Sequence, residues 1–267
     1  MTANWLYESN QVDDLIEQIL THERNWQEQF TLDQLLNQIQ HYVAELSQVL
    51  SSEVTAQENF YRVVDAIFDE LAFSGPGEQM LPESSLSNVS YAIMHRTGNH
   101  VSLSVVLREL LRRLGFNAFI SEIESQVALV VKPSNSELLI LDPVTGASEY
   151  LISSDDVRET MANEIASFAK ELDAEAVVKD VLTEQKIALL GEGLFEEALK
   201  CVETLMDLLP EDPYERRDRG LVLQQLDCGH WAKDDFDYFI KACPNDPMAV
   251  FIKSQLEDSL QSTQTIH

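Results

Sequence analysis

His100 and Ser104 stand four residues apart, a spacing that puts both on one face of a helix. With Asp142 as a third group they would compose a rearranged hydrolase dyad. The imidazole would take the proton of the Ser104 hydroxyl while the carboxylate orients the ring. The plainer reading is that Ser102 and Ser104 are small residues that pack or cap the start of a buried helix, because a side chain inside a helix body points poorly at substrate. His95 and His100 are five apart with no third ligand nearby, so no metal site is expected and exposed or capping imidazoles account for them. Asp142 precedes Pro143; it either ends a strand and accepts from the N–H groups of the next turn, or it binds a ligand.

A second group is cationic. Arg216, Arg217 and Arg219 form the one dense basic cluster in an acidic chain. They can clamp a partner's carboxylate, such as an acidic tail or a C-terminus. The competing and favoured reading pairs them with Glu211, Asp212, Glu215, Asp218 and the acidic N-terminal helices. The three cysteines, Cys201, Cys228 and Cys243, all fall in the last quarter. An odd number without C-x-x-C spacing argues against a disulfide framework or a structural zinc site.

The chain has 267 residues, with 46 Asp+Glu against 18 Lys+Arg and a formal charge of −28. Its 45% hydrophobic content supports real cores rather than a disordered acidic tail. So acidic a surface repels phosphate backbones and anionic lipid, so neither nucleic acid nor a membrane is expected as a partner. The acidity is uneven: residues 1–80 hold 14 acids and two bases, whereas residues 81–150 hold seven and five. The start lacks a basic n-region and a long apolar run, and no stretch approaches a membrane span, so a cytoplasmic protein with reduced thiols is expected.

The elements that must position these groups are mostly helices. Asn10 can cap a helix through about Leu20. Thr31 can open another, with Leu32, Leu35, Leu36, Ile39, Val43, Leu46 and Leu50 at helical spacing. Thr55 and Glu58 form a capping box ahead of Phe60, Val63, Val64, Ile67, Phe68 and Leu71. A short helix around 86–94 and a strong one over 101–114 follow. After Gly115 the period changes, and 118–123, 127–131 and 138–141 read as three strands of an antiparallel sheet. The spans are an N-terminal helical part of the core (1–80), a strand-bearing segment (81–153), a helical linker (154–187), and a repeat region with a capping helix (188–267).

The repeat is explicit. Pro210-Glu-Asp-Pro213 recurs as Pro244-Asn-Asp-Pro247, 34 residues on, and Leu189, Ala198, Val202 and Leu205 map by the same shift onto Leu223, Ala232, Phe236 and Phe239. A small residue at the close helix contact, apolar residues one turn later and Pro after the second helix are what stacked helix pairs require. This is a tetratricopeptide (TPR) signature.

The order Gly98-x-His100, a helix ending Leu110-Leu-Arg-Arg-Leu-Gly115, a strand and then Asp142-Pro143 resembles the transglutaminase-like (papain-type) core. In that fold a Gly-x-Cys motif sets the nucleophile at a helix N-terminus, a His on the next strand is the base, and an Asp on the following strand orients it. Carried across from Gly115 without gaps, the nucleophile position falls on His100, the base at or next to Gln126, and the orienter on Asp142. With RTGNHVSLSVVLRELLRRLG, DPVTG and PEDPYERRDRGLVLQQLD in this order, the chain resembles the SirB-type bacterial family, a transglutaminase-like domain followed by TPR repeats.

That resemblance implies an α+β, mostly helical fold: a degenerate transglutaminase-like core with a small antiparallel sheet, plus C-terminal TPR helix pairs. No cysteine lies within residues 1–200, and Gln126 cannot take a proton at neutral pH. The expectation is therefore no catalytic residue, no metal and no cofactor. A non-catalytic interaction or regulatory protein with a protein partner in the TPR groove is the first reading. The alternatives are a sensor holding a small polar ligand against Gln126 and Asp142 in the former active-site cleft, and a hydrolase or acyl transferase using Ser104 or His100.

Overall fold

A computed structural model describes residues 14–77, 82–133, 137–152 and 169–264. The Asn10 cap and the 154–168 part of the expected linker lie outside the described residues. The chain divides into two compact units, residues 1–188 and 189–267, which are taken in turn.

In the first unit, α1 spans Leu15–Glu23 and α2 spans Leu32–Leu46. The second begins at a capping box. The Gln34 N–H donates to Thr31 Oγ1 at 3.3 Å, and the Thr31 N–H donates to Gln34 Oε1 at 2.9 Å, so each side chain satisfies a helix-start donor of the other. Leu35, Ile39, Tyr42 and Leu46 form its buried face. The Thr55–Glu58 box does the same for α3 (Ala56–Asp65), which runs on into a π-helical turn over Ala66–Glu70.

The helix expected over 86–94 is two helices, α4 (Glu83–Ser87) and α5 (Val89–His95), separated at Asn88, whose backbone is extended (φ −76°, ψ 125°). The start of α5 is completed from elsewhere in the chain. The Val89 and Ser90 N–H groups donate to the Glu23 carboxylate at 2.8 and 2.9 Å. Next comes α6 (His100–Arg113), where every residue from Ser102 to Leu111 is buried. It is the central helix of the unit, hydrophobic on most sides because it is surrounded.

The sheet has four strands where three were expected: β1 (Asn117–Ile123), β2 (Gln126–Lys132), β3 (Leu138–Leu141) and β4 (Ser148–Ile152), antiparallel in the order β1-β2-β3-β4. The fourth escaped notice because it is a short edge strand that opens with exposed Ser148 and Glu149, without the apolar run that marks the other three. Between β1 and β2 the turn residues Glu124 and Ser125 both have positive φ, 52° and 64°, where Asn-Gly is the usual choice. The outer edge of β1 is covered by residues 170–172. The Leu172 N–H donates to the Ile120 carbonyl, and the Ser121 hydroxyl to the Lys170 carbonyl, both at 2.9 Å.

Helix α7 (Ala174–Gly191) begins within the span read as a helical linker. Val177, Val178, Val181 and Leu182 are all buried, and Gln185 Nε2 donates to Glu23 at 2.7 Å and to the Ser87 carbonyl at 3.2 Å. Of its larger apolar side chains Ile187 is left exposed.

The second unit holds α8 (Phe195–Leu208), α9 (Pro213–Gln225), α10 (Gly229–Ala242) and α11 (Pro247–Gln264). Helices α8 and α10 begin and end 34 residues apart, and α9 and α11 each begin on the repeated proline, which suits the first helical position. The repeat residues Ala198, Val202, Leu205, Ala232, Phe236 and Phe239 are buried. Gly220 is the point of closest approach, since a Cβ there would run into the Phe236 ring. Helix α11, expected as a cap, keeps the repeat's register.

Burial pushes the Glu23 carboxyl above its ordinary value, and the hydrogen bonds from Ser90, Val89 and Gln185 only partly pull it back. A raised folded-state pKa means that stability from this group is present below the ordinary carboxyl range and is lost as pH rises through the raised value. Glu23→Gln does not titrate, so it should flatten this slope in urea unfolding midpoints measured against pH. Glu23→Ala orphans the buried Val89 and Ser90 N–H donors, leaves Gln185 Nε2 with only the Ser87 carbonyl, and should cost about 3 kcal/mol.

Candidate functional site

The start of α6, the β1–β2 hairpin and α7 enclose a cavity of about 610 Å³. Helix α6 contributes Asn99, His100 and Val101; the hairpin contributes Glu122, Ser125 and Gln126; and α7 contributes Asp180, Thr183 and Glu184. Local sequence sets this up. The Asn99 side chain accepts from the Ser102 N–H at 2.9 Å and caps α6, which brings His100 to the first helical position. Gly98 is required just before it, because a Cβ would collide with Ser102 Oγ and crowd Ala92 of α5.

His100 is exposed as a residue, yet the surrounding walls desolvate its ring and hold the imidazole below its ordinary pKa, with the Asp142 charge opposing that shift. A helix N-terminus adds to the penalty on a cationic ring. The imidazole is therefore neutral at neutral pH. Asp142 caps the turn between β3 and β4. Its Oδ1 accepts from the Val144 N–H at 2.8 Å, and its Oδ2 accepts from the Thr145 hydroxyl at 2.7 Å. Partial burial pushes this carboxyl up, but the bonds from Thr145 and Val144, with the charge of His100, outweigh it and leave the pKa lowered. Asp142 thus does the turn-closing work foreseen for it and also acts on His100 through its charge.

Gln126 opens β2 and faces the same cavity as His100. Two of the three triad positions implied by the resemblance share a cavity wall, and the third is electrostatically linked to His100. Ser104 is elsewhere. It is fully buried, it is not among the residues that line the cavity, and its hydroxyl has no hydrogen-bond partner among the described residues. A nucleophile must reach substrate, so this placement counts against Ser104 as one. Ser102 donates to the Leu86 carbonyl at 2.7 Å and is structural. His95 lies 4.2 Å from the Tyr91 ring, centroid to centroid, and among the described residues no group of three His, Cys, Asp or Glu side chains is placed to hold a metal.

The wall that sequence reasoning missed is α7. Burial, and after it the charge of Glu122, pushes the Asp180 carboxyl above its ordinary value, with Lys179 opposing. The Thr183 hydroxyl oxygen is buried and has no partner among the described residues. The i, i+3, i+4 spacing of Asp180, Thr183 and Glu184 was the available signal for a shared face.

In the second unit the three arginines are engaged internally. Arg219 makes a two-pronged pair with Asp235, Nε to Oδ2 and Nη2 to Oδ1, both at 2.7 Å. Arg216 reaches Asp235 at 3.5 Å and stacks over Tyr238 at 4.5 Å. Arg217 pairs with Asp218 at 2.6 Å and lies over the Tyr214 ring at 5.1 Å. The neighbour Asp218 was foreseen. Asp235, fully buried on α10, was not, because the helix pairing that brings it near is a property of the fold rather than of local spacing. The three cysteines are free thiols, Cys201 buried and the others partly so.

Comparison with known proteins agrees with this layout. Residues 33–197 match the transglutaminase-like superfamily and residues 185–257 match the tetratricopeptide repeat. A UPF0162 protein of Vibrio cholerae is 31% identical over 84% of this chain and 84% of its own length. The UPF0162 protein YchA of Escherichia coli K12 is 28% identical over 91% and 90%, and protein SirB1 of Salmonella typhimurium is 27% identical over 90% and 88%.

Because Asp142 opposes the shift of His100, Asp142→Asn should lower the His100 pKa further, which an NMR titration of the imidazole resonances would read directly. Removing Arg219 would leave the fully buried Asp235 with only the longer 3.5 Å contact to Arg216. Arg219→Ala should therefore destabilise the second unit by about 3 kcal/mol, whereas exposed Lys233→Ala should leave the midpoint nearly unchanged, as measured by chemical denaturation.

Proposed function

The chain belongs to the transglutaminase-like superfamily, in its SirB-type branch with a TPR module, and on that footing we propose that it is a non-catalytic interaction protein. The observation that carries this reading is the content of the helix start where the superfamily's nucleophile would stand. That position holds His100, and the first cysteine of the chain is Cys201. Thiol acyl transfer needs a thiolate with a base in reach; here the corresponding groups are a neutral imidazole and the Gln126 amide, which has no usable basicity at neutral pH. Loss of two members of a catalytic unit removes the contribution of the whole unit.

TPR repeats generally mediate protein contacts, and a protein partner docked on the second unit is part of the proposal. An acidic or C-terminal segment held by Arg216, Arg217 and Arg219 would have to compete with Asp235 and Asp218. The overall charge of −28 favours a partner with basic surface. A second reading, in which the former cleft senses a small polar ligand, is favoured by the 610 Å³ cavity that joins His100 and Gln126, a volume suited to a small ligand or a side chain.

Serine- and cysteine-reactive probes separate the non-catalytic reading from an enzymatic one. The full-length protein should label only at its three cysteines, with no turnover of thioester or p-nitrophenyl ester substrates. Serine labelling abolished by Ser104→Ala, or ester turnover abolished by His100→Ala, would overturn it.

A further inference from the structure

We propose that the outer face of α11 pairs with the same face of a second copy of this chain, the two helices running antiparallel about a two-fold axis. The repeat supplies the first observation. Val250 and Phe251 stand 34 residues after Arg216 and Arg217. On α9 those two positions are covered by α10, since Arg216 lies over the Tyr238 ring at 4.5 Å and Arg217 over the Phe239 ring at 5.6 Å. On α11 the equivalent positions are open: Val250 is 62% exposed and Phe251 56%. The turn between α9 and α10, residues 226–228, would recur at 260–262, but α11 runs on through that point to Gln264. Among the described residues, therefore, no helix folds back over this face.

The terminal helix of a stacked array ordinarily turns a polar outer face to solvent, and α11 does the opposite. Its inner residues Ala249, Ile252 and Leu256 pack with Phe236 and Phe239 of α10, so the exposed pair lies on the outer side of a helix already built into the stack. Among the described residues, every large apolar side chain left exposed lies at Ile187 or beyond. Apolar surface is thus concentrated toward the repeat, and α11 alone among its helices exposes two adjacent residues of this kind.

Charge selects the occupant. At −28, two copies repel over most of their surface. Helix α11 is where they can meet, because its 18 residues carry three charged side chains, Lys253, Glu257 and Asp258, against five in the 13 residues of α9. These three are self-complementary. In an antiparallel pair Lys253 of one copy lies toward the Glu257 and Asp258 end of the other, and two-fold symmetry makes the contact twice. Ser254, one turn after Val250 and Phe251, is small enough to let the helices approach at the crossing. A partner with basic surface would instead be drawn to the more densely acidic parts of the molecule.

The test is sedimentation velocity on the full-length chain from about 1 to about 200 µM, the range in which modest interfaces associate. Monomer should pass to dimer with rising concentration. Because the copies repel away from the contact, the dimer should be stronger at about 500 mM than at about 50 mM NaCl. Val250→Glu with Phe251→Glu should leave monomer at every concentration with an unchanged far-UV circular dichroism spectrum. Ile187→Glu, at an equally exposed apolar position on α7, should leave the dimer intact. Lys253→Glu should weaken association by about tenfold, and adding Glu257→Lys and Asp258→Lys should restore it. Monomer at all concentrations and both salts overturns the proposal. So does a dimer that survives the Val250/Phe251 variant, one that Ile187→Glu weakens equally, one that is stronger at low salt, or one that the charge reversal fails to restore.

Discussion

The first unit is organised around one buried carboxylate. Glu23 ends α1 and accepts two backbone N–H groups at the start of α5 and one side-chain N–H from Gln185 of α7. An unpaired charge or orphaned helix-start donors at this depth would each cost several kcal/mol, so the three elements are bound to a common geometry. The constraint propagates. The Leu86 carbonyl, just before the α4–α5 break, accepts from the Asn99 N–H at 2.9 Å and from the Ser102 hydroxyl at 2.7 Å, which sets where α6 begins. Gln185 sits on the same helix as Asp180 and Thr183. Anchoring Glu23 therefore fixes both the α6 and α7 walls of the cavity.

What the sequence made legible follows the range of the interactions concerned. Both capping boxes and the buried faces of α2 and α3 depend on residues three and four apart, and they were readable residue by residue. So was the 34-residue repeat, because Ala198/Ala232 and Val202/Phe236 carry the same packing demand twice. What was not readable depends on contacts across long stretches of chain. The break at Asn88 is completed by Glu23, 66 residues away along the chain from Val89. The packing of α7 is secured by Gln185 on Glu23, 162 residues away. Asp235 meets Arg219 only because α9 and α10 pair. Of the cavity's walls, the α6 start and the hairpin carry residues singled out in the sequence, His100 and Gln126, whereas those of α7 were not singled out.

The helix N-terminus that carries His100 shows how one backbone arrangement suits different chemistry when its side chain changes. Orphan N–H groups and the positive end of the dipole favour a thiolate at that place. The same field disfavours an imidazolium, and the desolvating walls act in the same direction. Asp142 is the counterweight, and it is held below its ordinary pKa mainly by bonds within its own turn. The position of Asp142 is therefore required by the β3–β4 turn whatever stands at His100 and Gln126.

Charge in the second unit obeys a related rule. An acidic protein with few bases can place its arginines outward as a clamp or inward as ties, and burial of Asp235 decides the matter for Arg219. A fully buried carboxylate without a partner would be costly, so the two-pronged contact at 2.7 Å is what makes Asp235 tolerable in the α9–α10 interface. Arg216 adds a longer contact to the same carboxylate and rests on the Tyr238 face; Arg217 lies over Tyr214 and Phe239. The cations thereby stitch the repeat's helices together, and the surface left to solvent is more acidic than the sequence count suggests. The large apolar side chains that this unit leaves exposed include Trp231, Val250 and Phe251.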